Sequence, residues 1–209
     1  MTAAVYRRQA KYFRDAYVTG EHGWPVEGPT PDIRRYLKRI KPRRALDLGC
    51  GEGRHSILMA AMGAAVEAVD LEPLALRKAK AFARAAGVAR RIRFSRGDAM
   101  DLRFGDGSFD AAIDSGCFHH IVKPDWKRYV REIARVLRPG GHLLLTVFSM
   151  KFRHYPGEKR TRAWLYHRNH YDRFFRRADV APIFAPAFSL VEIREELKGF
   201  WHADLRRRA

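Results

Sequence analysis

From Ala45 onward the chain alternates short apolar runs with helical ones: ALDLG, HSILMAAMG, AAVEAVDL, PLALRKAKAFARAAG, IRFSRGD, FDAAIDSG, WKRYVREIARVL and HLLLTVFS. Strands that alternate with helices imply a mostly parallel sheet, joined by right-handed crossovers and covered by helices on both faces. The expected class is therefore α/β and doubly wound. A polar, aromatic stretch follows from Met150 to Tyr171, then a predicted helix near Asp172 to Phe184. FSLVEIREEL and GFWHADLRRR close the chain as strand candidates that pair as an antiparallel hairpin at the sheet edge. Ahead of the alternation, one or two helices are separated by GEHGWPVEGPTPD, with Pro31 and Asp32 starting a helix that runs to Ile40.

A chain of 209 residues is expected to form one domain. No apolar run approaches the ~18 residues that span a bilayer, and MTAAVYRRQAKYF lacks the continuous apolar region of a secretion signal, so a cytoplasmic location is expected. Cys50 and Cys117 are too few for a disulfide framework and have no metal-ligand spacing. Both read as small buried residues, and no metal is expected.

The stretch RRALDLGCGEGRHS places Gly49, Gly51 and Gly53 between the first strand and the following helix. In an open parallel sheet this is where ligands bind, at the carboxyl ends of the strands near the switch point. A dinucleotide fingerprint would need its third glycine where Arg54 stands, and no phosphate loop of the G-x-x-x-x-G-K-[ST] type exists. Instead, Asp47 precedes the turn and Glu52 lies within it, which suits a cationic ligand group better than a pyrophosphate. Asp70 ends the next strand at the offset of about 20 residues used by ribose-binding carboxylates. Asp98, followed by small Ala99, ends the third. Acids at three successive strand ends describe a pocket for a ribose, a base with an exocyclic amine and a positively charged tail.

With ALDLGCGEG, AVDLEP, GDAMDLRFGDGSFDAAIDSGCFHHI and VLRPGGHLLLT in this order, the sequence resembles the class I S-adenosylmethionine-dependent methyltransferases of the small-molecule type, over about residues 43 to 148. The resemblance implies a Rossmann-like, seven-stranded, mostly parallel sheet with an antiparallel C-terminal strand. It also implies S-adenosyl-L-methionine as cofactor and S-adenosyl-L-homocysteine as product. By it, Asp47, Gly49 and Gly51 hold the methionine moiety, and Asp70 accepts both ribose hydroxyls. Leu71 and Ala99 flank the adenine, Asp98 takes its amine, and the backbone around Asp114 and Ser115 closes the methionine end. Residues 1–44 then form a helical cover, 45–148 the cofactor-binding core, 149–177 a lid or insertion, and 178–209 a helix end with edge strands.

A sulfonium methyl is already electrophilic, so the protein's main task is to align donor and acceptor, and a base matters only for a protonated acceptor. His119 and His120, just past the fourth strand, are the candidates for such a base. The acceptor side is expected from the two flanks, each carrying +7 of the net +18. Residues 151 to 177 interleave nine basic residues with seven aromatics, and Arg153, Arg160, Arg162, Trp164 and Tyr166 are candidate acceptor contacts. Tyr17 and Trp24, in a stretch that distantly resembles the N-terminal lids of small-molecule methyltransferases related to the thiopurine and tellurite-resistance enzymes, are candidates for closing the donor from water. The partner is thus expected to be a small molecule, anionic or aromatic. An RNA methyltransferase is the alternative raised by the basic charge. It is disfavoured because DSGC stands where an N/D-P-P-[YFW] tetrapeptide would cradle a base amine. A non-catalytic regulator that binds an adenosyl ligand is the third reading.

Overall fold

A computed structural model describes residues 2–21, 30–154, 157–159, 162–167, 170–196 and 199–209. Trp24 and Arg160 lie outside the described residues. The alternation becomes strands β1 (Arg44–Leu48), β2 (Ala65–Asp70), β3 (Ile92–Arg96), β4 (Phe109–Ser115) and β5 (Leu137–Phe148). Between them run helices α3 (Arg54–Ala61), α4 (Pro73–Ala85) and α5 (Trp126–Val136). Helices α1 (Thr2–Thr19) and α2 (Pro31–Ile40) precede β1, and α2 starts and stops at the predicted residues. β8 (Phe188–Glu196) and β9 (Phe200–Arg207) complete a seven-stranded sheet of order 3-2-1-4-5-9-8. Its first five strands are parallel, and β9 returns antiparallel between β5 and β8.

The apolar runs are near-continuous because both sheet faces are covered. One face packs Leu46, Phe109, Leu143 and Leu145 with α5 and α6 (Arg177–Phe184). The other packs Ala45, Val66, Ile113 and Leu144 under α2, α3 and α4. α5 shows the logic locally: Trp126, Tyr129, Val130, Ile133 and Val136 recur at helical spacing and are all buried. Truncating fully buried Ile133 to Ala removes a filled core position, a change that costs about 2–5 kcal/mol.

Two expectations are corrected. The helix predicted from Asp172 begins only at Arg177, where the Asp179 carboxylate accepts the Arg176 amide at 2.8 Å. Residues His170–Arg173 instead form β7, which pairs antiparallel with β6 (Trp164–His167) in a hairpin outside the main sheet. Phe174 and Phe175 are not helical: their amides bond to the carbonyls of Ala163 and Phe148 and bury both rings. Tertiary hydrogen bonding to β5 and the hairpin overrides a weak helical pattern. β5 is also longer than predicted, taking in the Pro-Gly-Gly turn through a register shift opposite Phe109 and Ala111.

Candidate active site

The loop after β1 is held in a conformation that few residues adopt. Gly49, Gly51 and Gly53 all have positive φ, at 60°, 54° and 83°, which is accessible to glycine without steric cost. Gly51 has a second reason to lack a side chain, since a Cβ there would sit 3.0 Å from the Tyr17 hydroxyl. The loop is fastened to β2 by the Cys50 amide on the Val69 carbonyl at 3.0 Å and by the Gly51 amide on Asp70 Oδ2 at 2.8 Å. Asp70 Oδ1 takes the Glu72 amide at 2.8 Å. Burial raises the Asp70 pKa against these two amides. An ionised carboxylate offers about four acceptor positions, so Asp70 retains capacity on both oxygens. Beside it, Glu72 caps α4 by accepting the Leu74 amide at 2.9 Å.

The neighbouring strand ends place the other adenosyl-side candidates. Leu71 is 57% exposed, Ala99 is buried, and half-buried Asp98 accepts the Met100 amide at 2.8 Å on Oδ1. Tyr17 of α1 is buried over the glycine loop, with the Lys78 ammonium 5.6 Å from its ring and joined to Glu52 at 3.0 Å.

Asp47 and Asp114 face inward. Asp47 is enclosed and accepts the Ser56 hydroxyl at 2.5 Å, tying β1 to α3; burial pushes it up to about 7. Asp114 is fully buried and accepts the amides of Cys117 and Phe118 at 2.8 and 3.2 Å and the Tyr129 hydroxyl at 2.6 Å. Burial pushes it up to about 6, and it locks the turn after β4 onto α5. Ser115 is half-buried at the strand end. Ser56 and Tyr129, the partners that complete these two supports, carry no signal in the linear sequence. Burial raises the thiols of Cys50 and Cys117 above their usual range.

His119 and His120 sit on a single tight turn, Phe118–His120, after β4. His119 is buried and stacked on Phe148, ring centroids 3.8 Å apart. His120, its ring centroid 4.4 Å from that of His119, bonds the Tyr171 carbonyl through Nδ1 at 3.1 Å and lies 3.0 Å from Asp172 Oδ1. Gln9 of α1 clips this region, donating to the His120 carbonyl at 3.2 Å and accepting the Tyr171 amide at 3.4 Å.

The flank candidates separate by strand alternation. Trp164, Tyr166 and Tyr171 share one face of the β6–β7 hairpin, and the first two are 36% and 45% exposed. The Arg162 guanidinium lies 5.2 Å from the Trp164 ring, and exposed Arg153 donates to the carbonyls of Met150 and Phe152. Among the described residues, no hydrogen bond, ion pair or ring contact joins Arg153, Arg162, Trp164 or Tyr166 to the histidine turn. The opposite hairpin face presents His170 and Asp172 to it, residues that the sequence reading passed over. HYDR, four residues with three polar side chains, offers no apolar alternation by which a strand could be read.

A doubly wound sheet with a glycine loop after β1 and a carboxylate at the end of β2 defines a Rossmann-like α/β protein. Residues 45–141 match the family described as Methyltransferase domain. Over that segment the chain is similar to methyltransferases. It is 31% identical to norajmaline N-methyltransferase of Rauvolfia serpentina over 110 residues, 52% of this chain and 37% of that one. It is 40% identical to 27-O-demethylrifamycin SV methyltransferase of Amycolatopsis mediterranei over 130 residues, 60% of this chain and 47% of that one. The chain thus spans less than half the length of these curated relatives. The fold matches Burkholderia thailandensis 1,6-didemethyltoxoflavin-N1-methyltransferase, solved with 1,6-didemethyltoxoflavin and S-adenosylhomocysteine. The TM-score is 0.83 at 24% identity, over 100% of this chain and 91% of that one.

Proposed function

We propose that this chain transfers the sulfonium methyl of S-adenosylmethionine to a small-molecule acceptor by in-line displacement, leaving S-adenosylhomocysteine. The observation that carries the reading is Asp70, bonded to the Gly51 amide at 2.8 Å and retaining acceptor capacity beside a loop that leaves no room for a Cβ. That arrangement fits a ribose whose two hydroxyls donate to one carboxylate. Leu71 and Ala99 flank the adenine in this reading, Asp98 accepts its amine, and the backbones of Gly49, Gly51, Asp114 and Ser115 bound the methionine end. Asp47 supports that end through Ser56. Tyr17 and α1 keep water from it.

Bound there, the cofactor supplies an electrophilic methyl on sulfur. The chain contributes alignment, which can lower a barrier by about 7–11 kcal/mol when the reacting atoms are held in near-attack geometry. In this reading His119 and His120, on the turn after β4 and beside β7, stand at the acceptor end.

RNA is the weaker acceptor. A basic concavity lined by Lys38, Lys41, Arg43 and Arg91 lies by the amino ends of β1 and β2, opposite the strand ends that carry Asp70. Phosphate contacts made there are remote from the proposed donor methyl. The test is incubation of the protein with labelled donor and either a panel of phenols and N-heterocycles or total RNA, at physiological salt. Label is expected in a small acceptor. Robust incorporation into RNA, or none into any acceptor by protein that binds the donor, overturns the reading.

A further inference from the structure

We propose that His119, His120 and Asp172, with His154 and His170 against the same carboxylate, form a binding site for one divalent transition-metal ion. The donors come from three places: the turn after β4, the segment after β5, and β7. Ligand atoms of His119, His120 and Asp172 all lie within 4.8 Å of one another. His154 Nε2 and His170 Nε2 each stand 2.9 Å from Asp172 Oδ2, and His120 Nδ1 stands 3.0 Å from Oδ1.

Three imidazoles thus stand at ion-pair distance from one buried carboxylate. Among the described residues, neither Asp172 oxygen receives a directed hydrogen bond, although the carboxylate is fully buried and three ring nitrogens lie within 3.0 Å. His120 Nδ1 is aligned on the Tyr171 carbonyl instead. His119 Nδ1 is likewise buried with no partner among the described residues, in a side chain only 3% exposed. A buried polar atom without a partner calls for an explanation, and a bound ion is one. Two donors about 2.1 Å from one ion and at right angles to each other stand about 3.0 Å apart, close to the 2.9 Å spacings of His154 Nε2 and His170 Nε2 from Asp172 Oδ2.

The donor set selects the class of ion. Imidazoles around a single carboxylate suit Zn²⁺, Fe²⁺ or Ni²⁺, whereas Mg²⁺ and Ca²⁺ require mostly oxygen donors. The rings are held in place by packing. His119 stacks on Phe148, His170 stacks on Tyr12 at 3.9 Å, and Phe13 meets His120 edge-on at 5.0 Å. The Tyr171 carbonyl accepts from His120 Nδ1, which leaves Nε2 as that ring's ligand atom, the tautomer arrangement usual for metal-ligating histidines.

The site lies beside the turn that closes the methionine end in the proposed function. If that reading holds, a coordinated acceptor hydroxyl or amine would release its proton to solvent more readily before methyl transfer. Ion binding itself does not rest on that reading, and its test is separate. Chelator-treated protein is titrated with Zn²⁺ by calorimetry and with Co²⁺ by visible absorption, with Mg²⁺ as the contrasting ion. One equivalent of Zn²⁺ is expected to bind, Co²⁺ to develop d–d bands, and Mg²⁺ to give no heat. Asp172→Asn and His170→Gln should each weaken Zn²⁺ at least tenfold while S-adenosylmethionine binding, followed in parallel, is retained. Unfolding of Asp172→Asn leaves the decision to His119→Asn, whose unchanged Zn²⁺ affinity in a folded protein would count against the site. Equal Zn²⁺ binding by wild type and the folded variants, or preference for Mg²⁺, overturns the proposal. Zn²⁺ binding without any methyl transfer refutes only the catalytic reading.

Discussion

Asp70 and Gly51, one at the end of β2 and the other in the loop after β1, are joined by a 2.8 Å hydrogen bond from the glycine amide to the carboxylate. The strand end and the loop are thereby one unit, and a ligand held by the carboxylate is registered against the backbone that passes beneath Tyr17.

Replacing Asp70 with Ala should weaken S-adenosylmethionine at least tenfold by calorimetry, because hydrogen bonds to a charged group contribute about 1.5–3 kcal/mol each. NAD should give no measurable heat with the wild type, since Arg54 occupies the third glycine position of its fingerprint. Unchanged donor affinity in Asp70→Ala would remove the carboxylate from the site.

Gly51→Ala meets two penalties, a left-handed backbone at φ 54° and a Cβ 3.0 Å from the Tyr17 hydroxyl. The first costs about 1–2 kcal/mol for a residue with a Cβ. Adding Tyr17→Phe removes the hydroxyl and should recover part of the loss in urea denaturation, leaving the backbone share. No recovery would mean that the hydroxyl was never the obstacle.

Asp47 gives a pH signature. Burial raises its folded-state value to about 7, above the unfolded value of about 4, so the folded state binds the extra proton between those limits. Stability conferred by the neutral acid is complete below about pH 4 and is lost as pH rises through the window. Asp47→Asn cannot titrate and still accepts from Ser56. The stability of wild type relative to this variant should therefore fall by up to ~1.4 kcal/mol per pH unit from pH 4 to 7. Parallel urea curves at pH 5 and 7 measure it, and a constant difference would show that Asp47 is ionised throughout.

Tyr129→Phe removes the hydroxyl that donates to Asp114 Oδ2 at 2.6 Å and leaves that oxygen buried. The expected cost is about 1–3 kcal/mol in chemical denaturation. A loss within measurement error would mean that water replaces the hydroxyl.

The parts legible in the sequence share a physical character: each is written in neighbouring residues. The glycine loop lies within five positions, α2 announces itself by Pro31 and Asp32, and the strand-helix alternation repeats over stretches long enough for periodicity to be clear. β7 failed because it is four residues long and its buried face carries His170 and Asp172 rather than apolar side chains, so no hydrophobic pattern marks it.

The sequence by itself determined the doubly wound sheet, the glycine turn and the acids at the strand ends, because local backbone preference and apolar periodicity act over a few residues at a time. Only the tertiary structure decided which groups those acids meet: Asp70 accepts the Gly51 amide, Asp47 the Ser56 hydroxyl and Asp114 the Tyr129 hydroxyl. It alone gathered His119, His120, His154 and His170 around Asp172, since those side chains meet only after β4, β5 and the β6–β7 hairpin have packed together. Burial and convergence are properties of the packed chain, and a linear pattern does not contain them.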